Sequence, residues 1–291
     1  MAAEVISGRD LSAALKSEMS VEVKELFKKY GRAPHLAVII IGDNAGSISY
    51  VKGKEKSCNE IGLKNTTFHL NARVSQKTVM SLIKSLNEDE TVDGILVQLP
   101  LPKSYDEEAI INAIDPSKDV DGFHPTNIAK LWTKKPCLLP CTPKGIIEML
   151  KSKNIEIKGK RVCVMGRSNI VGLPMMKLFI DEDATVTMVH SKTNRQWEIT
   201  RDADILIVAI GKPKVVNARY IKDGAVVIDV GVNRDPETGK LCGDVDFDDC
   251  APYASYITKV PGGVGPMTIC ALMQNTIEAF LSHVGAQKEE K

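Results

Sequence analysis

The chain has 291 residues, 43% of them hydrophobic, which is room for two domains of ordinary size, each with its own core. Lys+Arg 38 against Asp+Glu 37 leaves a net charge of +1, no field to attract nucleic acid or an anionic membrane, and no apolar run is long enough to span a bilayer. The start "MAAEVISGRD" lacks a signal-peptide pattern, and among seven scattered cysteines the one close pair, Cys137 and Cys141, has no second pair or nearby histidine to make a zinc spacing; a reducing cytoplasmic location without a metal is expected. In chain order, "LSAALKSEMSVEVKELFKKYG" has helical periodicity and "HLAVIIIGD" reads as a buried parallel strand bounded by turn residues. The stretch around "SYVKGKEKS" is helical, with Ile48, Val51, Cys58 and Ile61 on one face. Lys54 projects about 50° from the centre of that face, whereas Lys52 and Lys56 lie more than about 100° away. Tyr50, one turn ahead of Lys54, shares its flank. This pattern suits a lysine turned inward for chemistry, and equally one whose stem covers apolar surface while its ammonium reaches water. "SQKTVMSLIKSLNED" is a helix, and "VDGILVQLP" a second buried strand ending on Gln98. Ligands bind at the carboxyl edge of parallel sheets, so Gln98 is a site candidate or else a backbone-capping amide. Asp121, in "KDVDGFHP", is a further candidate or a turn aspartate before its glycine.

"PCTPKGIIEMLKSKN" is predicted as a helix with Thr142 as N-cap and Pro143 in its first turn. A second strand series follows: "KRVCVMG", "ATVTMVH", "ADILIVAIG" and "GAVVIDVG", the rhythm of a Rossmann-like nucleotide-binding sheet. In "VMGRSNIVGLP", Ser168 replaces the second glycine of the G-x-G-x-x-G pattern, while Gly166 can make the tight turn and Gly172 can let helix and strand approach. After the second strand stands "HSKT", His190 to Thr193, with hydroxyls and a cation but no carboxylate for a ribose hydroxyl. Together with Arg167 this favours NADP over NAD. The alternative is a solvated loop. "KVPGGVGPMT" is costly in backbone entropy unless the main chain must approach something closely. The last helix, "PMTICALMQNTIEAFLSHVG", is expected to return to the first domain, and "AQKEEK" to fray. The expected fold is α/β with mostly parallel sheets. One domain comprises residues 1–141 plus 267–291, the other residues 142–266.

"SYVKGKEKSCNEIGL", "GILVQLPLP", "KDVDGFHPTN", "PCTPKG", "GRSNIVGLP", "TVTMVHSKT" and "VPGGVGPMT", in this order, resemble the bifunctional methylenetetrahydrofolate dehydrogenase/methenyltetrahydrofolate cyclohydrolase family over essentially the whole chain. The resemblance implies an N-terminal folate-binding catalytic domain, an NADP-binding domain, and a cytoplasmic homodimer assembled through the nucleotide domain. It implies oxidation of 5,10-methylene-tetrahydrofolate to the 5,10-methenyl form with NADP, then hydrolysis to 10-formyl-tetrahydrofolate, in the one-carbon metabolism that serves purine biosynthesis. By the same resemblance Lys54, Gln98 and Asp121 are catalytic: Gln98 supports the lysine and Asp121 anchors the pterin. Tyr50 stacks on the folate, with Val97, Leu99, Pro261, Gly262, Gly263 and Gly265 lining its site. Gly166, Arg167, Ser168, Ser191 and Val232 match the NADP-contacting positions. The "HSKT" segment departs from the NAD-using mitochondrial branch, which supports NADP. The formyl-tetrahydrofolate synthetase of larger members is not expected here.

The hydride step chiefly needs alignment, because two folate nitrogens stabilise the cation that forms. Hydrolysis needs a proton relay. A free lysine has a pKa of about 10.4, so it acts as a base near neutrality only after a drop of roughly 3 units. Burial lowers it and a nearby Asp121 raises it; the sequence leaves that balance open. An NADP-dependent dehydrogenase of small acids, with Lys54 on a substrate carboxylate, and a non-catalytic nucleotide-binding regulator also remain as readings of the residues.

Overall fold

The computed structural model describes residues 3–289. In chain order it opens with β1 (Glu4–Ile6), α1 (Gly8–Tyr30), β2 (His35–Ile41), α2 (Ala45–Ile61), β3 (Lys64–Leu70), α3 (Gln76–Glu88) and β4 (Gly94–Val97). Helices α4 (Glu107–Asn112), α5 (Pro125–Trp132) and α6 (Cys141–Ser152) follow. Next come β5 (Arg161–Met165), α7 (Gly172–Asp181), β6 (Thr185–Val189), α8 (Gln196–Thr200), β7 (Ile205–Val208) and β8 (Val226–Asp229). The chain continues through β9 (Asn233–Arg234), β10 (Leu241–Cys242), α9 (Phe247–Cys250), β11 (Tyr256–Thr258) and α10 (Val264–Glu289). Two compact units result: Ala14–Cys141 with the chain from Ile269 onward, and the chain up to Ala13 with Thr142–Thr268.

The first of these carries a parallel sheet in the order β3-β2-β4. β2 is its centre and buries all seven residues, which is why "HLAVIII" is apolar throughout rather than alternating. Ala37, Ile39 and Ile41 pack with Ile95 and Val97 of β4 and with Val79, Ile83 and Leu86 of α3. Each large side chain buried there stabilises the unit by about 1.5–3 kcal/mol. β3 was not anticipated, because "KNTTFHL" is an edge strand only half-buried and reads as polar. α2 starts on Asn44, whose side chain accepts from the Ser47 N–H at 3.0 Å, and ends on Gly62 at φ +85°. The last helix does return to this unit, as expected. Buried Asn275 donates at 2.8 Å to the carbonyls of both Val120 and Leu139, and His283 stands 3.3 Å from the buried Asp93 carboxylate. α10 runs to Glu289, through most of the stretch expected to fray; residues 290 and 291 lie outside the described residues.

The other unit is built on a six-stranded sheet in the order β1-β11-β8-β7-β5-β6, with its pairings parallel. The four strands read from the sequence are β5 to β8. From β5 the chain goes to β6 on one side and then back to β7 and β8 on the other, so the strand order reverses beside β5. In such sheets that reversal marks the ligand crevice. Residues 3–13, expected in the catalytic domain, group with this unit in the structure. Glu4, Val5 and Ile6 pair with Tyr256, Ile257 and Thr258, and Lys153 meets Glu4 at 2.7 Å. A three-residue strand is too short to show a periodicity. α6 also begins at Cys141, so Thr142 lies inside the helix, with its hydroxyl 2.9 Å from that of Thr268, rather than at the N-cap.

Among the described residues, no helix is long and apolar enough to cross a membrane. All seven cysteines are free.

Candidate active site

α2 presents its three lysines as the helical spacing predicts. Lys52 and Lys56 are exposed, while Lys54 is 7% exposed. A snorkelling lysine would show its ammonium to water. Lys54 Nζ instead donates to Gln98 Oε1 at 2.9 Å. Gln98 is fixed in turn: its backbone N–H bonds the Ile39 carbonyl at 2.8 Å, and its Nε2 donates to the Leu99 carbonyl at 2.7 Å. The amide oxygen therefore has one orientation, toward the lysine. Tyr50, one turn before Lys54, leaves 39% of its surface exposed, an aromatic face free to stack.

Burial pulls the Lys54 ammonium below the ordinary lysine value, and the charge of Asp121 opposes that pull. The reverse holds for Asp121, whose carboxyl is pushed up by burial against the effect of Lys54, with Asp119 adding to the rise. In each group burial outweighs the attraction of the partner's charge, so the two values are drawn toward one another. The balance that the sequence left open falls to desolvation. Asp121 is followed by Gly122 at φ +76°, where an added Cβ would stand 2.6 Å from Leu139 and Pro140 backbone atoms. Val97, Leu99, Asp121 and Phe123 line one small cavity beside Ile95 and Asp119.

Two supporting residues escaped the sequence reading. The Cys141 thiol donates to the carbonyl of Val120, next to Asp121, at 3.2 Å, and Asn275 ties together the carbonyls of Val120 and Leu139. Both lie far from Asp121 in the chain, and no spacing signals them.

The nucleotide candidates are in the other unit. Gly166 sits at φ +115°, and a Cβ there would stand 2.1 Å from the Ala209 carbonyl oxygen, so only glycine fits. Gly172 has the same need, 2.3 Å from the Gly166 carbonyl oxygen. Ser168 tightens the turn: its hydroxyl accepts from the N–H groups of Val171 at 3.2 Å and Gly172 at 3.4 Å. Met165 pairs with Val189 in the sheet, so Arg167 and Ser191 each lie two residues past that pair, at the carboxyl ends of neighbouring strands, and both are exposed. The turn from His190 to Thr193 is closed by a His190 N–H bond to Thr193 Oγ1 at 3.0 Å and brings no carboxylate. Val232, 47% exposed, follows the end of β8. These residues fit a nucleotide with a 2′-phosphate: a glycine turn for the pyrophosphate, and a cation with a hydroxyl where an acid would repel.

Pro261, Gly262, Gly263 and Gly265 belong to the same unit as the nucleotide candidates, just ahead of and within the first turn of α10. Gly262, at φ +108°, accepts from the Arg9 N–H at 3.0 Å, and a Cβ on Gly8 would stand 1.9 Å from the Gly263 carbonyl oxygen. The close approach inferred from the glycines is thus met partly by the chain itself. A Cβ on Gly265 meets nothing within 4 Å, so packing does not explain that glycine. No group of three or more His, Cys, Asp or Glu placed to hold a metal ion occurs among the described residues.

Two family models match the chain: the tetrahydrofolate dehydrogenase/cyclohydrolase catalytic domain over residues 6–121, and its NAD(P)-binding domain over residues 140–284. A relative called bifunctional protein FolD from Oceanobacillus iheyensis is 54% identical over 95% of this chain and 96% of its own. Its counterpart from Bacillus anthracis is 53% identical over 96% and 97%. Among solved structures, the FolD enzyme of Trypanosoma brucei, complexed with NADP cofactor and inhibitor, superposes with a TM-score of 0.94 at 41% identity, over 98% of this chain and 99% of that one. The order of motifs, the two parallel sheets and these full-length similarities agree: the chain belongs to the tetrahydrofolate dehydrogenase/cyclohydrolase family.

Proposed function

We propose that the protein oxidises 5,10-methylene-tetrahydrofolate to 5,10-methenyl-tetrahydrofolate with NADP and hydrolyses the product to 10-formyl-tetrahydrofolate. The observation that carries the hydrolytic half is the 2.9 Å bond from the buried Lys54 ammonium to Gln98. NADP supplies the hydride acceptor. Arg167 and Ser191 hold its 2′-phosphate, and the turn of Gly166 and Ser168 receives the pyrophosphate. Tyr50 stacks on the folate, Val97 and Leu99 line its site, and Asp121 anchors the pterin by a hydrogen bond that serves both steps. In hydrolysis, water adds to the methenyl carbon and loses a proton. The bond from that carbon to the ring nitrogen then breaks as the nitrogen gains a proton and the carbinol hydroxyl loses its own, leaving the formyl group on the other nitrogen and releasing one proton overall. Lys54, lowered by burial and steered by Gln98, takes and returns these protons. Val232 contacts NADP, and Pro261 to Gly265 approach the folate with backbone groups. β6 forms one edge of the six-stranded sheet, with Thr185 and Thr187 exposed, which supports our proposal of a homodimer, and the free cysteines support our proposal of the cytoplasm.

A spectrophotometric assay of the purified protein tests the dual activity. Methylene-tetrahydrofolate with NADP is expected to give NADPH, and added methenyl-tetrahydrofolate is expected to lose its absorbance faster than in buffer. Absence of either signal removes that half of the proposal.

Asp121→Ala is expected to lower both activities together by roughly tenfold to a hundredfold, the worth of a hydrogen bond to a charged or buried group. Because the Asp121 charge raises the Lys54 value, its removal lowers that value further. The acid limb of the cyclohydrolase pH profile, where the neutral amine is lost, is therefore expected to move to lower pH. Lowered thermal stability with intact kinetics would return Asp121 to a turn residue.

A further inference from the structure

Asp244 is fully buried, yet its four hydrogen-bond donors are neutral N–H groups. Its Oδ2 accepts from the backbone N–H groups of Ile210 at 2.7 Å and Gly211 at 2.9 Å. Its Oδ1 accepts from the Lys212 N–H and from Asn233 Nδ2, each at 2.8 Å. Three successive N–H groups converging on one anion form a nest, and they offset the cost of burying a carboxylate. A second buried carboxylate, Asp229, braces the first. It accepts from the N–H groups of Gly231 at 2.9 Å and of Asp244 and Val245 at 3.0 Å each. Glycines make room for both: a Cβ on Gly231 would stand 2.3 Å from Asp244, and one on Gly243 would stand 1.7 Å from Asp229.

The segments gripped in this way are the exits of β7 and β8, neighbouring strands on the same side of β5. Residues 210–212 follow Ala209, whose carbonyl oxygen is the atom that forces glycine at position 166. Residues 231–233 include the exposed Val232. In a doubly wound sheet the loops at the carboxyl ends of the strands form the ligand rim.

We propose that Asp244 is a positioning residue for the nucleotide, its one carboxylate setting the backbone of rim loop 210–212 and tying to it the Asn233 side chain of rim loop 231–233. It touches neither reactant itself. The proposal rests on the two-activity reading above, and the two activities supply its test, because hydrolysis of methenyl-tetrahydrofolate needs no nucleotide. Asp244→Asn keeps the shape but turns an NH2 group toward N–H donors whichever way its amide lies. The KM for NADP, and the dissociation constant for NADPH from nucleotide fluorescence, are expected to rise at least about tenfold. The kcat and KM for methenyl-tetrahydrofolate hydrolysis stay at the wild-type values. Asn233→Ala, which removes one of the four donors, is expected to raise the KM for NADP about three- to tenfold with the same selectivity. An unchanged KM for NADP in either soluble variant overturns the proposal, as does a parallel loss of both activities. A wild-type protein lacking NADP-dependent oxidation would instead remove the underlying reading.

Discussion

Lys54→Met is expected to cut cyclohydrolase turnover by at least about a hundredfold while hydride transfer remains measurable, so that methenyl-tetrahydrofolate accumulates. A positioned acid–base group contributes typically 10²–10⁴-fold, roughly 3 to 5 kcal/mol, and only the hydrolytic step has protons to move. Methionine keeps the length and apolar stem of a side chain that is 7% exposed, so the core around α2 is preserved. The dehydrogenase rate falls somewhat, because Gln98 Oε1 loses the ammonium it accepts from. Lys52→Met and Lys56→Met are the internal controls. Both side chains are exposed, and the Lys56–Glu60 ion pair at 3.8 Å is a surface pair worth at most about 1 kcal/mol. Both rates are expected to stay near wild type in these two variants. Steady-state assays of the three proteins decide the matter: equal behaviour, or wild-type hydrolysis by Lys54→Met, would make the inward lysine a packing residue.

The second large effect is expected in cofactor choice. Replacing Arg167 and Ser191 together by alanine is expected to lower kcat/KM for NADP about a hundredfold with little change for NAD. Two charge-assisted hydrogen bonds to a 2′-phosphate are worth on the order of 3 kcal/mol, and NAD lacks the group they hold. The sheet register supports acting on both at once, since Met165 pairs with Val189 and the two residues extend from neighbouring strands. Both are exposed, so the fold loses no packing. The measurement is the ratio of specificity constants for the two cofactors. A ratio equal to that of the wild type would free this pair of its assignment.

The strands that matter most were legible because they are buried on both faces: β2, β4, β5, β7 and β8 appear in the sequence as uninterrupted apolar runs. Lys54 was legible because α2 is regular enough for 100° steps to hold across it. β1, β3 and β11 were not, for two reasons. β1 and β11 have three residues each, too few for a pattern, and β3 is an edge strand with polar side chains. Thr142 was misplaced by two positions, since Cys141 already carries helical backbone. The Asp229 and Asp244 pair went unread because a buried carboxylate satisfied by backbone N–H groups leaves no charge partner in the sequence. Its one trace is the run of glycines at 231 and 243.

Neither compact unit is a continuous length of polypeptide, and this bears on how the chain can be made. The sheet of the nucleotide unit pairs β1, at Glu4–Ile6, with β11, at Tyr256–Thr258, so distant parts of the chain must meet to complete it. The catalytic unit waits in the same way for α10, whose Asn275 supplies the donors for Val120 and Leu139 around Asp121. During synthesis at about 5–20 residues per second, the apolar β2 run emerges long before its final covering helix exists. Assembly of the site therefore waits until α10 has been made, with exposed apolar surface to be protected until then. A cut between residues 141 and 142 would not liberate two working halves: one fragment would keep β1 without β11, and the other would carry away the helix that finishes its neighbour's core.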